Sequence, residues 1–555
     1  MKNKKLFILS SLALLSLGAL SSCGGGGGGG NDEYDKDGRL ILKLKNVYFD
    51  TFDGTDTYSE ILSEKFKVHL EPSNYSYDTW DEEVNTAVNG DSLPDVFQYN
   101  LKAYNFGSTY EQWIKYGMLK ALPDDLSKWP NIKSLINNTS NIDALKIGGK
   151  LYGLPIANDI SNPTKDFSNF TYVYRRDWAK AIDEKHKDQA GYTPIYKEGD
   201  VYTWEEFNRL VKGFKTDLEY ASGTKQASVL VDEEWGFPSI TNFYKDVPHC
   251  YTKDATGHAI NAFTSDKYIS GLRKAKEFVG DVIYSQDQYL YKPNQAKEVY
   301  LGGQAGIFYD NFSFANYISF RKSFKRLRKE ADLDDGTALL KIMGEDGKFA
   351  LEGTENWFST TMFSYQVSDS KMEKVLDILD YLLTPEGTRL AIFGKEDYDF
   401  IIVSDSDEYD YDVNGVKIKL TEQGWERGDD GNYGPKINGA KYLRYMATLG
   451  NDTKAYDPYT DQATFELLDD WIKDMKKAKS ENKLRVVKEP ADIDWMSTKT
   501  KNSKTEGLLT DANNHVKNYC FDSQGYKTIE EYKAKFDEDA NWAKVLEEIN
   551  QGLGF

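Results

Sequence analysis

The chain runs to 555 residues with a net charge of -20, and 14% of its residues are aromatic. That length exceeds one ordinary hydrophobic core and implies two or more domains. An evenly acidic balance argues against nucleic acid as a partner, and the wealth of rings excludes an acidic disordered chain.

The N-terminus bears on location. Lys2, Lys4 and Lys5 precede an apolar stretch over 6–20 that is too short to span a bilayer comfortably, and Leu20-Ser21-Ser22-Cys23 sets small residues before a cysteine. This pattern resembles the bacterial lipobox, so 1–22 reads as a lipoprotein signal peptide with Cys23 as the lipid attachment. Gly24 to Gly30 are seven consecutive glycines, and 23–38 reads as a tether. From Cys23 to Arg39 such a coil spans about 20–24 Å on average and at most about 55 Å. No later run approaches the ~18 apolar residues of a transmembrane helix, so the remainder is expected to be a soluble body. Cys250 and Cys520 are too few for a disulfide scaffold, and whether they pair is open.

From Arg39 onward strands alternate with helices. The pattern predicts a strand over 40–44, a helix over 57–66, a strand over 67–70 and a helix over 77–88 that carries Trp80, Val84 and Val88 on one face. A further strand begins at 93–97. Such alternation implies parallel sheets with helices on both faces, and ligands beyond the carboxyl ends of the strands. Later helices are predicted over 204–215, with Thr203 and Glu206 placed for a capping box, over 371–383 and over 464–479. Residues 409–420 alternate around Asn414-Gly415, a hairpin signal.

Catalytic signatures are missing. Neither G-x-S-x-G nor H-E-x-x-H occurs, there is no P-loop, and Gly302-Gly303-Gln304-Ala305-Gly306 lacks dinucleotide spacing. His249, Cys250 and His258 lack a fourth ligand at finger spacing. Asp410, Asp412, Asn414 and Gly415 imitate the start of a calcium loop, but the twelfth position is Thr421 instead of a bidentate acid, and a hairpin accounts for every residue. No cofactor and no metal is expected. So many acids always offer some pair at glycosidase spacing, and the sequence points to none.

Several short motifs recur in a fixed order: Gly90-Asp91-Ser92-Leu93-Pro94-Asp95-Val96, Gly149-Lys150-Leu151-Tyr152-Gly153-Leu154-Pro155, Tyr174-Arg175-Arg176-Asp177-Trp178 and Tyr202-Thr203-Trp204-Glu205-Glu206-Phe207. Gly303-Gln304-Ala305-Gly306-Ile307 and Leu379-Asp380-Tyr381-Leu382-Leu383-Thr384-Pro385-Glu386-Gly387 complete the set. In this order, across 40–400, the chain resembles the family 1 extracellular solute-binding proteins, the carbohydrate-binding lipoproteins of bacterial ABC importers. The resemblance implies an α/β, two-lobed periplasmic-binding-protein-like fold of type II, with the ligand cleft between lobes joined by crossing hinge segments. It places lobe I at 39–155, lobe II at 156–355, a return to lobe I at 356–400, and lobe II with a C-terminal extension at 401–555. It also implies a non-enzymatic, monomeric receptor on the extracellular face of the cell membrane, with ABC permease subunits as partners.

The same resemblance nominates ligand-binding residues. These are Tyr48, Asp50 and Asp53 after the first strand, Tyr99 and Asn100 after the third, and Asn158 and Asp159 after Gly153-Leu154-Pro155. In the second lobe they are Glu234 and Trp235, then Asp310, Asn311 and Phe312, where relatives often carry Gly-Pro-Trp. Trp357 stands at the second crossing. Flat rings suit the apolar face of a sugar, and Asp and Asn suit its rim of hydroxyls. Helical spacing assigns Trp80, Trp178 and Trp204 to the core instead. Two other classes remain open: a surface glycan-active lipoprotein enzyme (hydrolase or lyase), and an oligopeptide-binding receptor.

Overall fold

A computed structural model describes residues 32–76, 79–101, 106–139, 142–157, 170–245, 251–312, 314–329, 331–353, 357–413, 415–425, 437–448, 462–487 and 508–555. Cys23, Asn158, Asp159, Cys250 and Asn414 therefore lie outside the described residues.

Two sheets organise the chain. In the first, strand Leu40–Asn46 lies between Val68–Asn74 and Val96–Tyr99, parallel to both. Its alternate residues Leu40, Leu42 and Leu44 are buried against the helices Thr57–Phe66 and Asp369–Leu382, as a strand period of two requires. The opposite face covers Val47, Trp80, Val84 and Val88, so the four-residue spacing from Trp80 is a core stripe of helix Trp80–Asn89. Strand Trp357–Ser364 then returns from far along the chain. It runs antiparallel to Val96–Tyr99 and also bonds Leu119–Lys120 and Gly153–Ala157.

The second sheet has the order Ser228–Asp232, Ala305–Asn311, Phe170–Tyr174, Ala338–Ile342, Val201–Tyr202. Phe170–Tyr174 opposes both of its neighbours, so Asp232, Asn311, Ile342 and the start of Phe170 share one edge. The predicted capping box is present on helix Trp204–Ser222, which runs longer than the apolar spacing suggested. The Gly303–Gly306 motif has a packing reason. Gly303 sits at φ +74, and a Cβ on Gly306 would come within 2.6 Å of the Phe214 ring, so only glycine lets this helix lie on the strand.

Cores divide the same way. One pair of apolar clusters covers the two faces of the first sheet and another pair covers the second. Residues 401–448 depart from the expected division. Strands Phe400–Val403, Tyr411–Val413 and Val416–Leu420 bury Phe400, Ile418 and Leu420 against Phe393, which closes helix Pro385–Phe393 of the first lobe. Helix Gly439–Arg444 joins the first-lobe core through Ala440 and Leu443. The hairpin pattern carried no cue to the surface it would cover. Helices Gln462–Ser480 and Leu508–Cys520 onward pack on the second lobe, where Cys520 is buried.

The chain thus passes between the lobes three times, between Ala157 and Phe170, Glu352 and Trp357, and Thr448 and Gln462. The three first-lobe ends are laced together. Trp357 is in register with Ala157, the Ala157 N–H donates to Ala447 O at 3.1 Å, and Thr448 Oγ1 donates to Ala157 O at 3.0 Å.

Away from that edge, a buried ion pair joins Lys371 Nζ to Asp95 Oδ2 at 2.9 Å, and Asp95 also accepts from the Lys43 N–H at 2.8 Å. Lys371→Met leaves that carboxylate buried without its cation. The expected loss is about 3–5 kcal/mol, measured by urea unfolding, and Asp95→Asn in the same background should restore part of it.

Candidate functional site

The edge shared by Asp232, Asn311, Ile342 and Phe170 faces the crossings, and aromatic rings gather there. Trp235, in the turn after Ser228–Asp232, is 48% exposed. Its ring meets Phe170 edge-on at 5.0 Å, and Tyr309 stacks on Phe170 at 6.3 Å. Asn242 Nδ2 donates to the Tyr309 hydroxyl at 2.7 Å. Lys517 Nζ pairs with Glu234 at 3.3 Å beside the turn. Below this surface the turn is fixed from inside. Asp232, fully buried, accepts from the Ser239 N–H at 2.8 Å, from Ser239 Oγ at 2.7 Å and from the Tyr284 hydroxyl at 2.7 Å.

A pocket of about 500 Å³, part of it open solvent, adjoins the rings. Its walls include Phe170, Tyr309, Lys245, Glu352, Trp471 and Met475. Its walls are mostly apolar with a few polar groups, the makeup of many ligand sites. Each crossing reaches the second lobe beside it, at Phe170, at Glu352, or through helix Gln462–Ser480.

On the first lobe the matching edge carries a second ring cluster. Tyr48 tilts on Tyr445 at 5.4 Å, Tyr442 stacks on Phe52 at 5.4 Å, and the Tyr442 hydroxyl bonds Thr51 Oγ1 at 2.7 Å. Asp50 and Asp53 are exposed on the same loop, and Asp53 is turned onto Thr55.

The nominated residues therefore divide. Tyr48, Asp50, Asp53 and Asn100 lie at the first-lobe edge, and Glu234, Trp235, Asp310 and Asn311 at the second, each at least partly exposed. Three others are corrected. Tyr99 is 0% exposed, packed on Trp113 at 4.9 Å with its hydroxyl bonded to Asp81. Phe312 is 1% exposed among Phe308, Tyr317 and Phe320. Trp357 is 2% exposed in the first-lobe core, within the strand that laces the crossings. All three rings are enclosed by protein and have no face left for a ligand.

Sequence reasoning missed Phe170, Tyr309, Asn242, Lys245, Glu352 and Trp471, as well as Tyr442 and Tyr445. For Tyr309 a signal existed. Along Ala305–Asn311, Phe308 faces one core and Tyr309 the other, so strand parity separates Tyr309 from Phe312. Among the described residues no cluster of three His, Cys, Asp or Glu has metal-site geometry. The hairpin carboxylates serve the hairpin: Asp412 accepts from the Gly415 N–H and Asp410 from the Leu420 N–H, both at 2.8 Å.

No family model matches the sequence, and no curated protein matches it. Solved structures do. The alginate-binding protein AlgQ2, solved without calcium ion, superposes with a TM-score of 0.61 at 14% identity, covering 93% of this chain and 98% of that one. An HMO-binding, ABC-transporter-associated solute-binding protein from Bifidobacterium longum infantis superposes at 0.59 with 13% identity, over 93% and 99%. FusA of S. pneumoniae, an ABC-transporter substrate-binding protein in complex with kestose, gives 0.57 at 13% identity, also over 93% and 99%. At such identities the likeness shows the fold. The chain has the α/β, two-lobed fold of the periplasmic binding proteins.

Burial pushes the Asp310 carboxyl up to about 6 from its ordinary 3.8, and Glu233 nearby is raised for the same reason. An acid whose folded value lies above its unfolded one costs stability once it ionises. The cost is absent below about 3.8, grows across that window and is complete above about 6. Asp310→Asn keeps the acceptor for the Asn311 N–H and removes the charge. Urea unfolding should show the variant more stable than the parent by roughly 1–3 kcal/mol at pH 8 and equal to it at pH 3.5.

Proposed function

We propose that the chain is the extracellular substrate-binding lipoprotein of a bacterial ABC importer. It captures a carbohydrate, most simply an oligosaccharide, by closure of its lobes and delivers it to a membrane permease. The observation that carries this reading is the half-exposed Trp235, set against Phe170 and Tyr309 at the crossing-facing edge and bordered by Asn242, Asp310 and Asn311. Rings cover the C–H face of a pyranose, and the amides and carboxylates bond its rim, where each hydroxyl both donates and accepts.

Rings on both lobes favour a ligand of more than one sugar unit, with Tyr48 and Tyr445 meeting the second. Lobe closure follows from that division. A ligand that contacts both edges only when they approach biases the equilibrium by its differential affinity. The superposing proteins, alginate-binding, HMO-binding and in complex with kestose, agree with a glycan. Cys23 serves as the lipid attachment that holds the receptor at the outer face of the cell membrane. No helix among the described residues is long and apolar enough to cross a membrane.

Binding and hydrolysis separate in one assay. Calorimetric titration with a panel of oligosaccharides should show a one-to-one complex, with the glycan recovered intact by mass spectrometry. Shortened products would replace the receptor by an enzyme. Trp235→Ala should weaken binding at least tenfold and shift Tm by only a few degrees, because the ring is half exposed.

A further inference from the structure

The pocket beside Trp235 has polar groups in its walls that the stacking rings do not use. Lys245, 9% exposed, donates from Nζ to Glu352 Oε1 at 3.0 Å, and both side chains line the pocket. No other partner of the Lys245 ammonium occurs among the described residues. Trp471 forms another wall. It is 1% exposed, and its indole N–H has no acceptor among the described residues. Burying such a donor without an acceptor costs roughly 1–3 kcal/mol. In helix Gln462–Ser480 a phenylalanine would fill much of the same space without that cost.

We infer that this pocket is a slot for one hydroxyl-bearing arm of the sugar stacked on Trp235 and Phe170, read by Lys245, Glu352 and Trp471. The inference rests on the receptor reading and adds the group recognised. The chemistry selects a hydroxyl. The Lys245–Glu352 pair brings no net charge, so an incoming carboxylate meets the Glu352 charge and an incoming ammonium meets that of Lys245. A hydroxyl satisfies all three walls, accepting from the ammonium or the indole and donating to the carboxylate. Hydrogen bonds to charged groups are the stronger kind, and a ligand lacking the hydroxyl forgoes them and leaves the Trp471 N–H unmatched, which is how a site rejects a deoxy analogue. Lys245, Glu352 and Trp471 are thus specificity-determining residues for a neutral sugar.

The test uses the full-length protein and isothermal calorimetry. A glycan array of neutral, amino and uronic-acid oligosaccharides identifies the best ligand of the parent protein. That ligand and its set of monodeoxy derivatives are then titrated into the parent, Glu352→Gln and Trp471→Phe. The expected result is that one derivative binds the parent at least tenfold more weakly than the intact sugar. Both variants should bind the intact sugar about tenfold more weakly than the parent does, and should no longer distinguish it from that derivative. Near-UV circular dichroism checks folding. If Glu352→Gln does not fold, Trp471→Phe, which keeps an aromatic ring in the core, decides alone. If every deoxy derivative loses the same factor on the variants as on the parent, or if the best ligand binds through a carboxylate or an amine, the slot assignment is overturned. If no glycan binds the parent, it is the receptor reading that falls.

Discussion

Everything about the ligand face depends on one strand. Trp357–Ser364 returns to the first lobe after the whole second lobe has been built, and it bonds three strands that precede that lobe. Without it the first sheet loses its continuity between Val96–Tyr99 and Gly153–Ala157. The pairing brings together residues about 200 to 270 positions apart, so it carries a large closure entropy that only simultaneous packing of both sheet faces offsets. Its first residue is Trp357, and the same register that buries this ring sets Ala157 beside Thr448. The first-lobe ends of the crossings are therefore an extension of a sheet, laced together by the Ala157–Ala447 backbone bond and by Thr448.

From that junction the placement of the rings follows. Each parallel strand delivers its C-terminal loop to the crossing side, so Tyr48 and Trp235 reach the same side of their lobes although nothing local in the sequence relates them. The polar interior of the second lobe then fixes the geometry of its loop. Asp232 clamps Ser239 through both its N–H and its hydroxyl, closing the segment that carries Glu234 and Trp235, while the Tyr284 hydroxyl donates to Asp232 and the Tyr172 hydroxyl to Ser239 Oγ. Burial raises the Asp232 carboxyl to about 7, against the pull of those donors. A carboxyl in such a position trades stability for the fixed presentation of an exposed ring.

Much of this was legible from the chain alone, and the pattern of success is physical. Short-range periodicity identified helix Thr57–Phe66, the Trp80 stripe, the Thr203–Glu206 capping box and the hairpin around residue 415, since each is decided by neighbours within a few residues. Motif order conveyed the two lobes. The site was harder, because a strand end offers one ring upward and the next downward. Tyr99, Phe312 and Trp357 all sit at strand ends and all point into a core, while Tyr309 points toward the pocket. Lys245, Glu352, Trp471, Tyr442 and Tyr445 come from segments without any motif, and only tertiary packing assigns them a place. The described residues of 401–448 pack on the first lobe against expectation for the same reason: an amphipathic hairpin declares that it will cover something without declaring what.

The aromatic richness that marks this sequence has a structural answer in two parts. Most rings build cores. The second lobe alone buries Tyr172, Tyr174, Tyr202, Tyr284 and Tyr309, and each hydroxyl is bonded to a named partner. Tyrosine in a core is costly unless its hydroxyl is matched, so a core built this way must also be a hydrogen-bond network, with fewer alternative packings than one of leucine. That rigidity is what a ligand edge requires. Stacking on Trp235 has value only if Phe170 and Tyr309 hold it in one attitude, and those two rings are held by the sheet and by Asn242. The acidic exterior and the aromatic interior are consequently separate devices. Charge of one sign keeps a large body dispersed, while the rings, ordered from within by matched hydroxyls, fix the edge on which the proposed ligand would rest.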